Sequence, residues 1–282
     1  MIARMSAIAL ALGTAISWGC ADFLGGLLSR RVAVLAVTVW SQAAGFAALL
    51  VWVAVDGFRL DDRAFGIGAL AGVGGGIGLA AFYKALAVGT MSIVSPLTAC
   101  GAIIPFGIAL ATGERPSALA IGGALVALVG AVLASAEEHG SDDPGRRQGV
   151  LLAIVAAVAL GLFIYFLGLA GDEGDTLSAL FGARVGSLSI LLSAALLTGA
   201  SLRISRRNLG AAAVIGLIDT GANALFVLAS SRGYLSIVSV LASLYPVVTV
   251  LAAHVVLTER ISWPQRAGVA LALGGVAVVA YG

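Results

Sequence analysis

The stretch Ser92–Cys100 reads SIVSPLTAC, and Ser236–Leu244 reads SIVSVLASL. Five of the nine positions are identical, at an offset of 144 residues in a chain of 282. The likeness continues outward. Gly89 and Gly233 precede the two phrases at the same offset. The GER of 113–115 answers to the TER of 258–260, now offset by 145, and Gly123, Leu128 and Gly130 match Gly268, Leu273 and Gly275 at that offset. One extra residue in the later copy accounts for the slip. A phrase, a Glu-Arg pair and a glycine pattern in one register predict an internal duplication.

Composition says what kind of element is duplicated. Hydrophobic residues make up 60% of the chain and charged residues 11%, against roughly 25% charged in a soluble domain. Mean hydropathy is +1.08. So apolar a chain cannot bury its side chains in one core and keep a wettable surface, so lipid is the solvent for most of it. The 38 glycines agree, because small residues let helices approach closely in a bilayer. No basic stripe with interleaved aromatics is present, which leaves nucleic-acid binding without support. Cys20 and Cys100 both sit in apolar runs. They offer neither a disulfide framework nor a Cys/His spacing for a metal, and no cofactor motif is found. The run from Arg4 to Cys20 is read as a first membrane span and not as a cleaved signal, since many similar runs follow.

A helical span needs about 20 mostly apolar residues. Ten such runs lie at 6–28, 33–55, 65–87, 91–112, 117–136, 149–169, 177–200, 209–231, 235–257 and 264–281. They are too long and too unalternating for barrel strands, so internally hydrogen-bonded helices are the spanning element. The longest polar run, EEHGSDDPGRRQ at 137–148, reads as a solvated linker. It divides the chain into 1–136 and 149–282, each with five spans. Five is odd, so the second copy enters the membrane from the opposite side. The expected fold is an all-α integral membrane protein of ten transmembrane helices in two inverted five-helix repeats. Such repeats recur in secondary transporters, with solute bound near the midplane between them.

These features resemble the ten-helix EamA-type members of the drug/metabolite transporter superfamily. The resemblance rests on ISWGCADFLGG in the first span and ALAVGTMSIVSPLTACGAIIPFGIALATGERPS across spans three to five. It rests also on GLIDTGANALFVLAS in span eight and GYLSIVSVLASLYPVVTVLAAHVVLTERISWPQ across spans eight to ten. It covers essentially the whole chain. It implies a multi-pass transporter of small metabolites or drug-like solutes in the cytoplasmic membrane, often an exporter, with both termini in the cytoplasm. The arginines point the other way. With the termini inside, cytoplasmic segments hold five arginines and outer segments nine, whereas basic residues concentrate on the cytoplasmic side.

Polar groups inside a span are costly and mark pathways. Asp22, Lys84, Arg184 and Asp219 fall within apolar runs and sum to zero charge. They either pair and hold helices together or line a cavity that binds a charged solute or a proton. Lys84 is the only lysine in the chain. Trp18 and Asp22, and Asp219 and Asn223, are four apart and share helix faces. The resemblance implies that Trp18 belongs to a cavity wall. Ser95, Thr98, Ser239 and Ser243 offer hydroxyls to a solute or to neighbouring helices. Tyr83, Tyr165 and Tyr245 are candidate aromatic walls. Pro96, Pro105 and Pro246 interrupt helix hydrogen bonding and are candidate hinges. Glu114-Arg115 and Glu259-Arg260 stand at helix junctions and read as caps. The glycines of GVGGGIG at 72–78 lack the Lys-Ser/Thr ending of a phosphate loop. Gly72 and Gly76 there form a GxxxG packing pair.

The expected function is a secondary transporter working by alternating access, with lipid and a small solute as partners. A coupling ion and the oligomeric state, monomer or homodimer, stay open. The alternative is a membrane enzyme acting on a lipid or isoprenoid; it lacks the clustered Asp, His or Glu such chemistry uses.

Overall fold

A computed structural model describes residues 2–56, 59–88, 94, 97–135, 146–172, 175–257 and 262–281. Regular structure there is helical throughout. In chain order the helices are α1 (Ile2–Ser29), α2 (Val34–Asp56), α3 (Asp62–Val88), α4 (Ile103–Ala111), α5 (Ala118–Ser135), α6 (Arg146–Asp172), α7 (Thr176–Thr198), α8 (Arg206–Ser230), α9 (Leu235–Ala242), α10 (Tyr245–Leu257) and α11 (Trp263–Tyr281). A 3-10 turn, Cys100–Ala102, precedes α4. Eight helical segments are long and apolar enough to cross a bilayer, counting Leu235–Val256 as one, and two shorter ones, Leu97–Ala111 and Ala118–Ala134, complete the ten. Several helices overrun the apolar stretches; α6 begins at Arg146 and ends at Asp172. Helix hydrogen bonds continue through the headgroup layer, where charged side chains are no longer penalised.

Caps close the ends. Asp61 Oδ1 accepts from the Ala64 N–H at 2.9 Å ahead of α3, and Asp175 accepts from the N–H groups of Leu177 and Ser178 ahead of α7. Ser262 and Gln265 follow a capping-box spacing before α11, with the Gln265 amide oxygen accepting from the Ser262 N–H at 2.8 Å. Gly199 ends α7 with φ 63°, a left-handed conformation that costs glycine nothing.

The two copies are interleaved. Helix α1 packs on α8, and its counterpart α6 packs on α3; α2 packs on α8, and α7 on α3; α1 meets α10, and α6 meets α4. Two contacts join a helix to its own counterpart, α2 with α7 and α5 with α11, and α4 in the fourth span meets α9 in the ninth. Exchanging the copies therefore maps these contacts onto one another. The inversion is visible at one end of the bundle. A cleft there is lined by Ala7 at the start of α1, Asp172 at the end of α6, Arg115 before α5, Arg232 before α9 and Val279 near the end of α11. The first helix of one copy begins where the first helix of the other ends.

Packing follows lipid rules. The buried surface is largely alanine, including Ala11, Ala36, Ala64, Ala71 and Ala85, while large residues such as Val51, Val55, Leu70, Val129 and Leu151 point outward. Without a hydrophobic driving force between helices, close backbone approach supplies the contact energy. A Cβ on Gly72 would fall 2.0 Å from the Ala183 carbonyl oxygen, and one on Gly216 would fall 1.9 Å from that of Ser41. The glycines shared by the duplicated segments, Gly123, Gly130, Gly268 and Gly275, all lie at the α5–α11 crossing. Gly123 faces Gly275, and Gly130 faces Gly268.

Candidate functional site

A cavity opens where the copies meet, lined from α1, α2, α3, α6, α7 and α8 and from the broken fourth and ninth spans. Its volume is about 700 Å³ counted out to its open mouth. Inside it is narrow, with about 60 Å³ that water can occupy, room for a handful of molecules.

The wall is built from matched positions. Gly75 and Asp219, and Leu79 and Asn223, are pairs offset by 144, and all four line the cavity. Thr98 and Ser243, one position out of register in the repeated phrase, line it as well. Both spans break there. The 3-10 turn Cys100–Ala102 interrupts the fourth span. The ninth is broken between α9 and α10 at Ser243 and Leu244. Pro246, just past that break, has no N–H to continue the ladder. Pro105 is buried in the first turn of α4, after the 3-10 turn.

The charges are unevenly served. The Arg184 guanidinium, 3% exposed, donates to the Asp219 carboxylate at 2.8 Å and to the Gln42 amide oxygen. The Gln42 amide nitrogen donates to Asp219 at 3.3 Å, and the Ser187 hydroxyl donates to the Gln42 oxygen at 2.9 Å. An ion pair bridged by Gln42, which Ser187 holds in turn, is what a buried charge requires. The Trp18 indole N–H donates to Asn223 Oδ1 at 2.9 Å, and its ring stacks on Phe226 with centroids 5.6 Å apart. Asp22, one turn along α1, also faces the cavity. No hydrogen bond or ion pair to it is found among the described residues. The Thr98 hydroxyl is buried and likewise has no hydrogen-bond partner.

Of the expected site residues, Trp18, Asp22, Thr98, Arg184, Asp219, Asn223, Ser243 and Tyr245 line the cavity. Others do not. Lys84 is exposed one turn from the end of α3 and is not among the residues that line this cavity; the cavity expectation for it is corrected. Tyr165 is half-buried against Phe166, away from the cavity. Tyr83 is 1% exposed and wedged against Gly25, a packing role. Ser239 spends its hydroxyl on the Ser236 carbonyl at 3.0 Å within α9. Ser95, Pro96 and Glu259 lie outside the described residues. Gln42, Ser187 and Phe163 line the cavity too. An amide inside an apolar span, the signal that singles out Asn223, points to Gln42 as well.

Glu114 does more than cap its own neighbourhood. Its carboxylate accepts from the N–H groups of Leu235 at 2.7 Å and Ser236 at 2.9 Å. The connector after α4 thus closes the start of α9 in the other copy.

Residues 5–136 and 147–281 each match the EamA-like transporter family. The chain belongs to that family, a membrane transporter fold of two repeats. A solved crystal structure, described only as a protein, shares 18% identity and superposes with a TM-score of 0.79 over 97% of this chain and 96% of that one. It shares the fold. No curated protein matches the chain closely enough to suggest a substrate.

Proposed function

We propose that this protein is a secondary transporter, an exporter of a small metabolite or drug-like solute, working by alternating access. The observation that carries the reading is the cavity lined at matched positions by both inverted copies, Gly75 with Asp219 and Leu79 with Asn223. An inverted pair has two near-equivalent arrangements of the same contacts, one open to each side. The helix breaks beside Thr98 and Ser243 supply places where the fourth and ninth spans bend. The narrow interior supports the same view, since a solute bigger than a few waters enters only when these helices part. In this proposal 1–136 and 149–282 are the two moving repeats, the membrane is the cytoplasmic one, and both termini face the cytoplasm.

Untargeted metabolite comparison of cells with and without the protein, followed by uptake of the changed solutes into inside-out vesicles, tests the function. Solutes unaffected by the protein in vesicles would sink it. A reporter fused after Gly282 tests the orientation, and activity only outside the cytoplasm would reverse it.

A further inference from the structure

We propose that the solute is a small organic cation, and that Asp22 is the group that receives its charge. This rests on the transport reading and extends it to a substrate class.

Two carboxylates and one guanidinium line the cavity. Arg184 is consumed by the protein itself: its donors go to Asp219 and Gln42, and it is 3% exposed. An anionic solute finds no free positive group there among the described residues. Asp22 is the opposite case, half-buried, facing the cavity and without a partner among the described residues. A carboxylate in so apolar a surrounding is costly unless it takes up a proton or a counter-charge joins it, and an incoming cation supplies the second. The wall around it suits an organic counter-charge. Trp18 lies one helical turn from Asp22 on the same face, and Phe163 and Tyr245 line the same space. Aromatic faces attract an ammonium, most strongly where water is excluded. Thr98 is a second, independent sign. Its hydroxyl is buried in the cavity wall with no partner among the described residues, so a solute that also carries a hydrogen-bonding group completes it. Together these features select a cation with an apolar or aromatic body and reject anions of the same shape.

Full-length protein in detergent can be titrated with three solutes of matched shape: 2-phenylethylammonium, neutral 2-phenylethanol and anionic 3-phenylpropanoate. Flux of permanently charged trimethyl(2-phenylethyl)ammonium is then followed in proteoliposomes. The wild type should bind the ammonium at least tenfold more tightly than either other solute and move the trimethyl cation. Asp22→Asn should cut cation affinity at least tenfold while thermal unfolding shows a folded protein, and Asp22→Glu should retain most of it. Thr98→Val should weaken only solutes able to hydrogen-bond, leaving the trimethyl cation within twofold. Equal or tighter binding of the neutral or anionic solute overturns the proposal, and so does cation affinity that survives Asp22→Asn. If wild-type vesicles move neutral or anionic metabolites and not cations, the charge assignment falls and the transport reading stands. If metabolite comparison and vesicles reveal no moved solute of any class, the transport reading itself fails.

Discussion

Helices α3 and α8 are the same element twice, and they have been put to different uses. Gly72 and Gly216 match at an offset of 144, and each presses against a carbonyl of its partner helix, Ala183 on α7 and Ser41 on α2. The next turn differs. Gly76 meets Ser187, while its match Thr220 fills the space over Gly45. Where α3 shows the cavity Gly75 and Leu79, α8 shows it Asp219 and Asn223. Scaffold contacts are thus repeated and polar contacts are not. The mirrored pairs also relate α2 to α7 at an offset of 142, because 57–61 is five residues and 199–205 is seven. On that register Gln42 and Arg184 are counterparts, and they hydrogen-bond to one another. The pseudo-two-fold axis passes between them, and the charge on one side of it is held by Asp219, whose counterpart on the other side is Gly75.

That asymmetry can be broken in order of size. Asp219→Ala leaves the Arg184 guanidinium buried without its ion-pair partner, and should cost about 3–5 kcal/mol, read as loss of folded protein on size-exclusion chromatography. The pair Arg184→Leu with Asp219→Leu should recover part of that stability. If the single change costs nothing, the ion pair is not what holds α7 to α8. Gly72→Ala and Gly216→Ala should be equally harmful, since both collide with backbone. About 3 kcal/mol, or roughly 6–12 °C in Tm, is expected for each. A large loss at one and none at the other would sink the matched-scaffold view. Glu114→Ala removes a cap across copies and should cost about 1 kcal/mol, with faster solute leakage if α9 loosens; an unchanged Tm counts against the cap. Lys84→Ala should change neither flux nor stability, within about 0.5 kcal/mol. A flux defect there would return Lys84 to the pathway.

Much of the fold was legible before any coordinates. Apolar runs found the spans because a bilayer demands length and hydrophobicity and little else. The Gly-rich stretch at 72–78 was legible as a packing surface, and Gly72 and Gly76 do meet Ala183 and Ser187. Asp219 and Asn223 were legible as one face by spacing, and both reach the cavity. Lys84 was misread because depth along a helix and direction around it are different quantities. Its span is identified, but which side of α3 faces α6 and α7 depends on helices that begin 62 or more positions later. Gln42 carries the same amide signal as Asn223, and its role is set by a distant partner. An amide is an ordinary residue until a guanidinium 142 positions away comes to it.

The sequence by itself determined the solvent, the number of crossings, the duplication and the opposite sense of the two copies. Each follows from a property that the chain carries locally: hydropathy, run length, a repeated register, an odd count. The tertiary structure alone decided which charges are spent and which are left. Arg184 and Asp219 satisfy each other and Asp22 does not, because interleaving brings α2, α7 and α8 together on one side of the cavity and leaves α1 presenting its carboxylate to the space between.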